Sequence, residues 1–296
     1  MSAPETLTPA TLAAASFPGP QLGVLGDPIA HSLSPAMHGA ALAALGPTHP
    51  ELAGWRYHRL HVTAAELPAA LRTLHAKGFV GLNLTVPHKV QALGLVESLS
   101  AEARRAASVN TLIATPTGWT GHTTDGQGFL AALQERTGRA VAGRPVVLLG
   151  AGGAARAVAA ACLDGGCAHL TIHNRDAAKA SELAAALADP RAHGTGLDTL
   201  TILPAEALVV NCTTLGLKAD DPSPLGATAL HPGHFVFDTT YAATPSRLLR
   251  DARAAGADGC DGRPMLRWQG ALAFRLWTGV LPPAEPMRRA LDETAS

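Results

Sequence analysis

The stretch RPVVLLGAGGAARAVAAACLDGG, residues 144–166, restricts the fold more than any other part of the chain. Its run of valine and leucine reads as a buried strand, because such side chains suit a pleat covered on both faces. A glycine turn follows, then small residues that read as a helix up to Gly165 and Gly166. Gly150, Gly152 and Ala155 have the spacing G-x-G-x-x-A. Alone that pattern says little, but between a strand and a helix it describes a turn shaped for a dinucleotide phosphate. The first glycine permits the tight turn, the second lets a pyrophosphate approach the backbone, and the small third residue lets helix and strand pack closely. The free N–H groups of the helix then face the phosphates. The other reading is a tight turn with a purely structural role.

The same alternation extends to both sides. QLGVLG from Gln21 reads as a strand, and SPAMHGAALAAL as a helix with Ser34 at its N-cap and Pro35 at its first position. WRYHRLHV alternates at period two, and Thr63 with Glu66 makes a capping box for a helix that stops at Gly78. FVGLNLTV is the next strand, and Pro87 opens another helix. Strands separated by segments of this length predict parallel pairing through right-handed crossovers. A second set begins at Asp125 with the helix DGQGFLAALQERT. It continues through the glycine turn, HLTIHNR, AAKASELAAALA, ALVVNCT and HFVFDTTY, the pattern of a doubly wound sheet. The fold class is therefore α/β. PMLRWQGALAFRLWTG near the end is helical and apolar enough to require a large surface to pack on.

Whole-chain properties remove several alternatives. The 296 residues are enough for two cores, and 47% hydrophobic against 16% charged residues suits a folded chain. Lysine plus arginine equals aspartate plus glutamate at 23 each, so no long-range field favours nucleic acid or an anionic membrane. The first twenty residues lack lysine and arginine and read as a loose tail, and no apolar window reaches membrane-spanning length. A cytoplasmic protein is expected. Cys162, Cys167, Cys212 and Cys260 lack metal-ligand spacing and read as buried thiols, with no metal site.

Cofactor choice should be written at the end of the strand after the glycine turn, where an acidic residue would select NAD. Here Asn174 and Arg175 stand there, with Lys179 one helical turn on. A guanidinium forks around a 2′-phosphate and an uncharged Asn174 does not repel it, so the position reads as NADP. Arg175 as a solvated helix-start residue is the alternative. Asp176 is discordant as a pocket residue but suits a helix cap. For chemistry, Lys89 at a strand-to-helix switch and Asp125 at a helix start stand out as an ammonium–carboxylate pair for a reacting oxygen. Their alternatives are a solvated helix residue and a plain N-cap. Ser32 and Ser34 offer hydroxyls at a helix start, a carboxylate site or simply a cap. Asn83, Thr85 and Asn110 are polar groups on apolar runs, either satisfied locally or aimed at a ligand.

GDPIAHSLSPAMH, NLTVPHK, SVNTL, TTDGQG, LLGAGGAARA, HNR, NCTTLG, FDTTY and PMLRWQGALAF occur in the order found in shikimate dehydrogenases, and from about Leu22 to Gly279 the chain resembles that family. The resemblance implies NADP-dependent interconversion of 3-dehydroshikimate and shikimate on the route to aromatic amino acids. It implies that Ser32 and Ser34 bind the substrate carboxylate, that Asn83, Thr85, Asn110 and Gln269 hold ring hydroxyls, and that Tyr241 closes the site. Lys89 and Asp125 match the pair at the reacting oxygen. Gly150, Gly152, Gly153 and Ala154 match the phosphate turn, Asn174 and Arg175 the 2′-phosphate clamp, and Lys179 and Thr213 further cofactor positions. It also implies an N-terminal α/β substrate domain, residues 21–124 with 262–296 after a tail of 1–20. A Rossmann-type NADP domain spans 125–261, with the active site in the cleft between the two. A small-molecule substrate is the expected partner, with homodimerisation left open.

Departures are Gly39 after His38, Thr123 for an asparagine, Asp176 for a threonine, and Ala243 and Ser246 in the tyrosine motif. A quinate/shikimate dehydrogenase with NAD or dual cofactor use stays open as an alternative, as does a non-catalytic ligand sensor.

Overall fold

The computed structural model describes residues 6–200 and 202–293. The chain forms two units, Met1–Thr124 with Gln269–Ser296, and Asp125–Trp268.

The first unit is built on β1 (Thr6–Leu7), α1 (Pro9–Ala14), β2 (Gln21–Gly26), α2 (Ser34–Leu45), β3 (Arg56–His61), α3 (Leu67–Ala76), β4 (Phe79–Leu84) and α4 (His88–Gln91). After these come β5 (Ser98–Leu99), α5 (Ala101–Ala106), β6 (Thr111–Ala114) and β7 (Trp119–His122). Its seven strands lie in the order β1-β3-β2-β4-β6-β7-β5. β2 is buried along its whole length, as suits a central parallel strand that is apolar after Gln21, whose Nε2 is satisfied by the Pro18 and Gly19 carbonyls. Leu25, Leu60, Leu71, Leu82, Leu112 and Trp119 belong to one apolar cluster of this unit.

Four expectations need correction. Residues 6–20 are not a loose tail: β1 adds to the edge of β3 in parallel, and Thr8 and Thr11 cap α1 reciprocally. Leu12 is buried and Lys77 donates to the Ala15 carbonyl, which ties the segment down. Residues 1–5 of that expected tail lie outside the described residues. Ser34 is the first residue of α2 and makes no cap; Leu33 already has helical dihedrals, and the Ser34 N–H donates instead to Ser32 Oγ at 3.4 Å. The Thr63–Glu66 box is one-sided, since the Glu66 carboxylate accepts from the Thr63 N–H and hydroxyl without a return bond from its own N–H to Thr63 Oγ1. Nor is the sheet wholly parallel. β6 runs antiparallel to β4, and β7 antiparallel to β6, the latter because the turn Thr115–Gly118 returns the chain at once and leaves no length for a crossover.

The second unit contains α6 (Asp125–Thr137), β8 (Pro145–Leu149), α7 (Gly153–Asp164), β9 (His169–Asn174), α8 (Ala177–Leu187), β10 (Ala192–Gly196), β11 (Leu208–Asn211), β12 (Phe235–Asp238), α9 (Arg247–Ala254) and β13 (Asp258–Cys260). Its six strands pair in parallel in the order β10-β9-β8-β11-β12-β13. This is the doubly wound arrangement, with the topological switch between β8 and β11. Val147, Leu149, Val209 and Val236 anchor an apolar cluster beneath it. The edge strands AHGTG and DGC escaped the sequence reading because neither carries a run of large apolar residues.

α10 (Arg263–Thr278) starts in the second unit and ends in the first, and α11 (Ala284–Glu293) completes the first. Gly81 has no side chain, and a Cβ there would run into the Trp277 ring. The indole lies over this bare strand position and donates from Nε1 to the Leu112 carbonyl at 2.9 Å. The apolar terminal segment thus finds the surface its composition demands.

Candidate active site

Within the first unit a buried polar network gathers at the ends of β4 and β6. Asn83 Oδ1 accepts from the Tyr57 hydroxyl at 2.7 Å, and its Nδ2 donates to the Asn110 carbonyl and to Thr111 Oγ1, both at 3.2 Å. Asn110 lies one step further in, at 1% exposure. Its Oδ1 accepts from the Thr124 N–H at 2.8 Å and the Thr111 hydroxyl at 2.9 Å. Its Nδ2 donates to Thr124 Oγ1 at 3.0 Å and to Gln269 Oε1 at 3.1 Å. Three residues selected from sequence, Asn83, Asn110 and Gln269, are therefore brought together by bonds to one another or to shared partners. Buried amides need such partners.

The network also steers both residues selected for chemistry. The Val109 N–H donates to the Lys89 carbonyl at 2.8 Å, so the backbone of Lys89 is held by the neighbour of Asn110. Thr124, gripped by Asn110, is followed directly by Asp125, the first residue of α6. Lys89 is half-buried and Asp125 buried. Pro87, after the cis Val86–Pro87 bond, occupies the cap of the short α4 that carries Lys89. Thr85 is half-buried, and its N–H donates to the Leu25 carbonyl at 2.9 Å. Ser32 is held through its carbonyl, which accepts from Arg59 Nη2 at 2.9 Å.

The sequence reading missed Tyr57, Arg59, Thr111 and Thr124. Tyr57 and Arg59 share one parity of the alternating strand, and that parity was the available signal. Thr111 and Thr124 sit inside SVNTL and TTDGQG but look like ordinary strand and cap residues.

His38 is fully buried and stacked on Tyr57, ring centroids 4.2 Å apart, with neither ring nitrogen hydrogen-bonded among the described residues. Burial pushes its pKa down to about 3, so it is a neutral packing element.

In the second unit the glycine turn stands at the carboxyl ends of β8 and β11. Gly150 has φ +109°, and a Cβ there would come within 3.0 Å of the Cys212 backbone and 3.2 Å of the Thr213 nitrogen. Only glycine fits. Gly152 caps α7, and space around its absent Cβ is open, which leaves room for a phosphate at the N–H groups of Gly153 and Ala154. The residues present therefore fit a dinucleotide. Thr213 is fixed by Asn211 Oδ1, which accepts from both its N–H at 3.0 Å and its hydroxyl at 2.7 Å.

At the end of β9, Asn174 donates to the Asp176 carbonyl and Arg175 is exposed. Asp176 proves to be the N-cap of α8, accepting from the Ala178 N–H at 3.1 Å. Lys179 lies 3.9 Å from its carboxylate, both side chains well exposed. Such a surface pair is weak and leaves the lysine available.

Tyr241 follows a second buried cluster. Asp238, at 0% exposure, accepts from Asn211, the Thr240 N–H and hydroxyl, and the Ser246 hydroxyl at 2.5 Å. Burial raises the Asp238 pKa against the lowering effect of those donors. Ser246 also caps α9, so the serine at this position serves two elements. Burial pushes the Tyr241 phenol up to about 12, which keeps it protonated. The four cysteines are free thiols, three of them buried. No described helix is long and apolar enough to cross a membrane.

Residues 24–112 match the family model "Shikimate dehydrogenase substrate binding domain", residues 132–216 "Shikimate / quinate 5-dehydrogenase", and residues 262–291 "Shikimate 5'-dehydrogenase C-terminal domain". A shikimate dehydrogenase (NADP(+)) of Symbiobacterium thermophilum is 43% identical over 282 residues, 92% of this chain and 94% of the relative. The chain belongs to the shikimate dehydrogenase family. Among solved structures, shikimate 5-dehydrogenase of Thermus thermophilus with NADP(H) and shikimate superposes with TM-score 0.80 at 38% identity, covering 93% of this chain and all of that one. Quinate dehydrogenase of Corynebacterium glutamicum with NAD gives TM-score 0.80 at 31% identity, covering 94% and 99%. The two-part α/β architecture, a substrate-binding fold followed by a Rossmann-type sheet, is the family's.

Proposed function

We propose that this chain is a cytoplasmic NADP-dependent shikimate dehydrogenase that reversibly reduces 3-dehydroshikimate to shikimate in the synthesis of aromatic amino acids. The observation that carries the reading is the buried network through Asn83, Asn110, Thr124 and Gln269, with its backbone ties to Lys89 and to the residue before Asp125. A purely structural network has no need to meet a lysine and an aspartate in a chain that also holds a phosphate turn. Membership of the family supports the same conclusion.

Bound NADPH supplies a hydride to the ring carbonyl carbon. The turn at Gly150, Gly152, Gly153 and Ala154 holds the pyrophosphate, while Asn174, Arg175 and Lys179 hold the 2′-phosphate and Thr213 borders the cofactor. Ser32 and Ser34 take the substrate carboxylate. Asn83, Thr85, Asn110 and Gln269 border the ring hydroxyls, with the Asn83 and Asn110 carboxamides fixed in place by their bonds within the protein. Tyr241, kept protonated, closes the site as a hydrogen-bond donor. Lys89 donates a proton, or a charged hydrogen bond, to the oxygen that becomes the alkoxide, and Asp125 orients the ammonium.

Quinate is the second reading, favoured by the likeness to a quinate dehydrogenase. The test is a matrix of kcat/KM for shikimate and quinate, each with NADP and NAD, followed by the absorbance of the reduced nicotinamide. Shikimate with NADP is expected to be the best combination by a factor of about ten or more. Quinate with NAD leading would establish the second reading, and no turnover with any pair would refute both.

A further inference from the structure

Three residues on one face of β3 each grip a different part of the first unit's polar site. Alternation puts residues 57, 59 and 61 on the same side of the strand. Tyr57 donates to Asn83, and His61 Nε2 lies 2.9 Å from Asp27 Oδ1. Between them, Arg59 Nη2 donates to the Ser32 carbonyl at 2.9 Å. The turn it grips contains only neutral groups: the Ser32 and Ser34 hydroxyls and the N–H groups at the start of α2. Neutral donors alone discriminate poorly between a carboxylate and its uncharged ester; a nearby cation discriminates well.

Arg59 is suited to that task. Its Nε is buried without an acceptor among the described residues, and no carboxylate there is in ion-pair contact with it. Asp27, the acid at the end of β2, is engaged by His61. Burial lowers the Arg59 pKa, yet a guanidinium stays charged at any physiological pH. Being partly desolvated and not neutralised by a counter-ion, it acts on a neighbouring anion through a lower effective dielectric than a solvated side chain does.

We propose that Arg59 is a positioning and specificity residue of the carboxylate subsite: it clamps the Ser32–Ser34 turn and supplies the charge that selects an ionised substrate. The proposal rests on the reading that Ser32 and Ser34 receive the substrate carboxylate.

The test uses the full chain and the variants Arg59→Ala, Arg59→Gln and Arg59→Lys, with steady-state kinetics on shikimate and on its uncharged methyl ester. Arg59→Ala raises KM for shikimate by about tenfold or more, with kcat and KM for NADP within about twofold of the parent. Arg59→Gln keeps a donor for the Ser32 carbonyl but lacks charge, and its acid-over-ester preference falls by about tenfold; Arg59→Lys restores most of that preference. Because the preference is a ratio within each variant, partial unfolding cancels from it. An unchanged acid-over-ester ratio in both Arg59→Ala and Arg59→Gln overturns the proposal while leaving the functional reading intact. A parent protein that does not turn over shikimate overturns the functional reading, and this proposal with it.

Discussion

Replacing Asn110 with alanine tests the buried network directly. The substitution removes the acceptor of the Thr124 N–H, the acceptor of the Thr111 hydroxyl, and the donor to Gln269 Oε1. The Thr111 hydroxyl can turn to Thr124 Oγ1, already 3.4 Å away. The Thr124 N–H is fixed by the backbone and has no such freedom. One stranded buried donor costs about 1–3 kcal/mol, and the emptied volume of the carboxamide adds about 1 kcal/mol. The sum is about 2–4 kcal/mol.

Tryptophan fluorescence during urea unfolding is the assay, because Trp55, Trp119 and Trp277 belong to the first unit and only Trp268 to the second. With a denaturant slope of about 2 kcal/mol/M, the midpoint of that transition falls by ~1–2 M. Turnover falls about a hundredfold in the same variant, since the peptide leading into Asp125 loses its anchor. A midpoint within about 0.3 M of the parent together with unchanged turnover would refute the reasoning, because no buried donor would then have been stranded.

Lys89→Ala lowers kcat by about a hundredfold or more with little change in KM, measured by steady-state kinetics in both directions. Arg175→Ser raises KM for NADP by about tenfold while leaving KM for NAD nearly unchanged; equal effects on both would remove Arg175 from the 2′-phosphate clamp. Gly150→Ala forces a Cβ against the Cys212 and Thr213 backbone at a strained φ. It should cost about 2–4 kcal/mol and weaken NADP binding, seen by thermal melting and cofactor titration. The buried His38 stays neutral in the folded protein, with its pKa lowered from 6.5 to about 3, whereas the unfolded chain takes up a proton below pH 6.5. Stability is therefore full above that pH and falls as the pH drops, by about 1.4 kcal/mol per unit. His38→Phe, which keeps the ring stacked on Tyr57, should flatten this dependence in urea titrations at pH 7 and pH 5.

The glycine turn and the strands around it were legible because periodicity and a forced backbone conformation leave a local trace. Gly150 is an example: its neighbours in sequence already demand the turn that its φ and its clash with Cys212 enforce. Asn83 was only half legible. That a buried amide must be satisfied follows from its position on an apolar run; that Tyr57, 26 residues upstream, satisfies it is a matter of sheet order. Ser34 was misassigned for a local reason, since Leu33 occupies the N-cap position with helical dihedrals and no side-chain cap, and Ser34 becomes the first helical residue, its N–H donating to the Ser32 hydroxyl. β1 and α1 escaped because a two-residue strand and a six-residue helix carry too few residues for any period to register. Arg59 was legible as a member of one face of the alternating strand but not in its role, since the reach of the third strand back to the turn after the second is a matter of sheet order.

The indole seated on Gly81 has a consequence for how the chain is made. The surface formed by Gly81, Leu112, Met37 and His38 receives its covering residues from Gly270 and Trp277 in α10. Emerging from the ribosome, residues 125–268 can close their own sheet while the earlier portion still waits, its apolar face bare, for the last stretch of polypeptide. The portion synthesised first is thus the one completed last, and truncation shortly before residue 269 would release a finished second sheet attached to an unfinished first one.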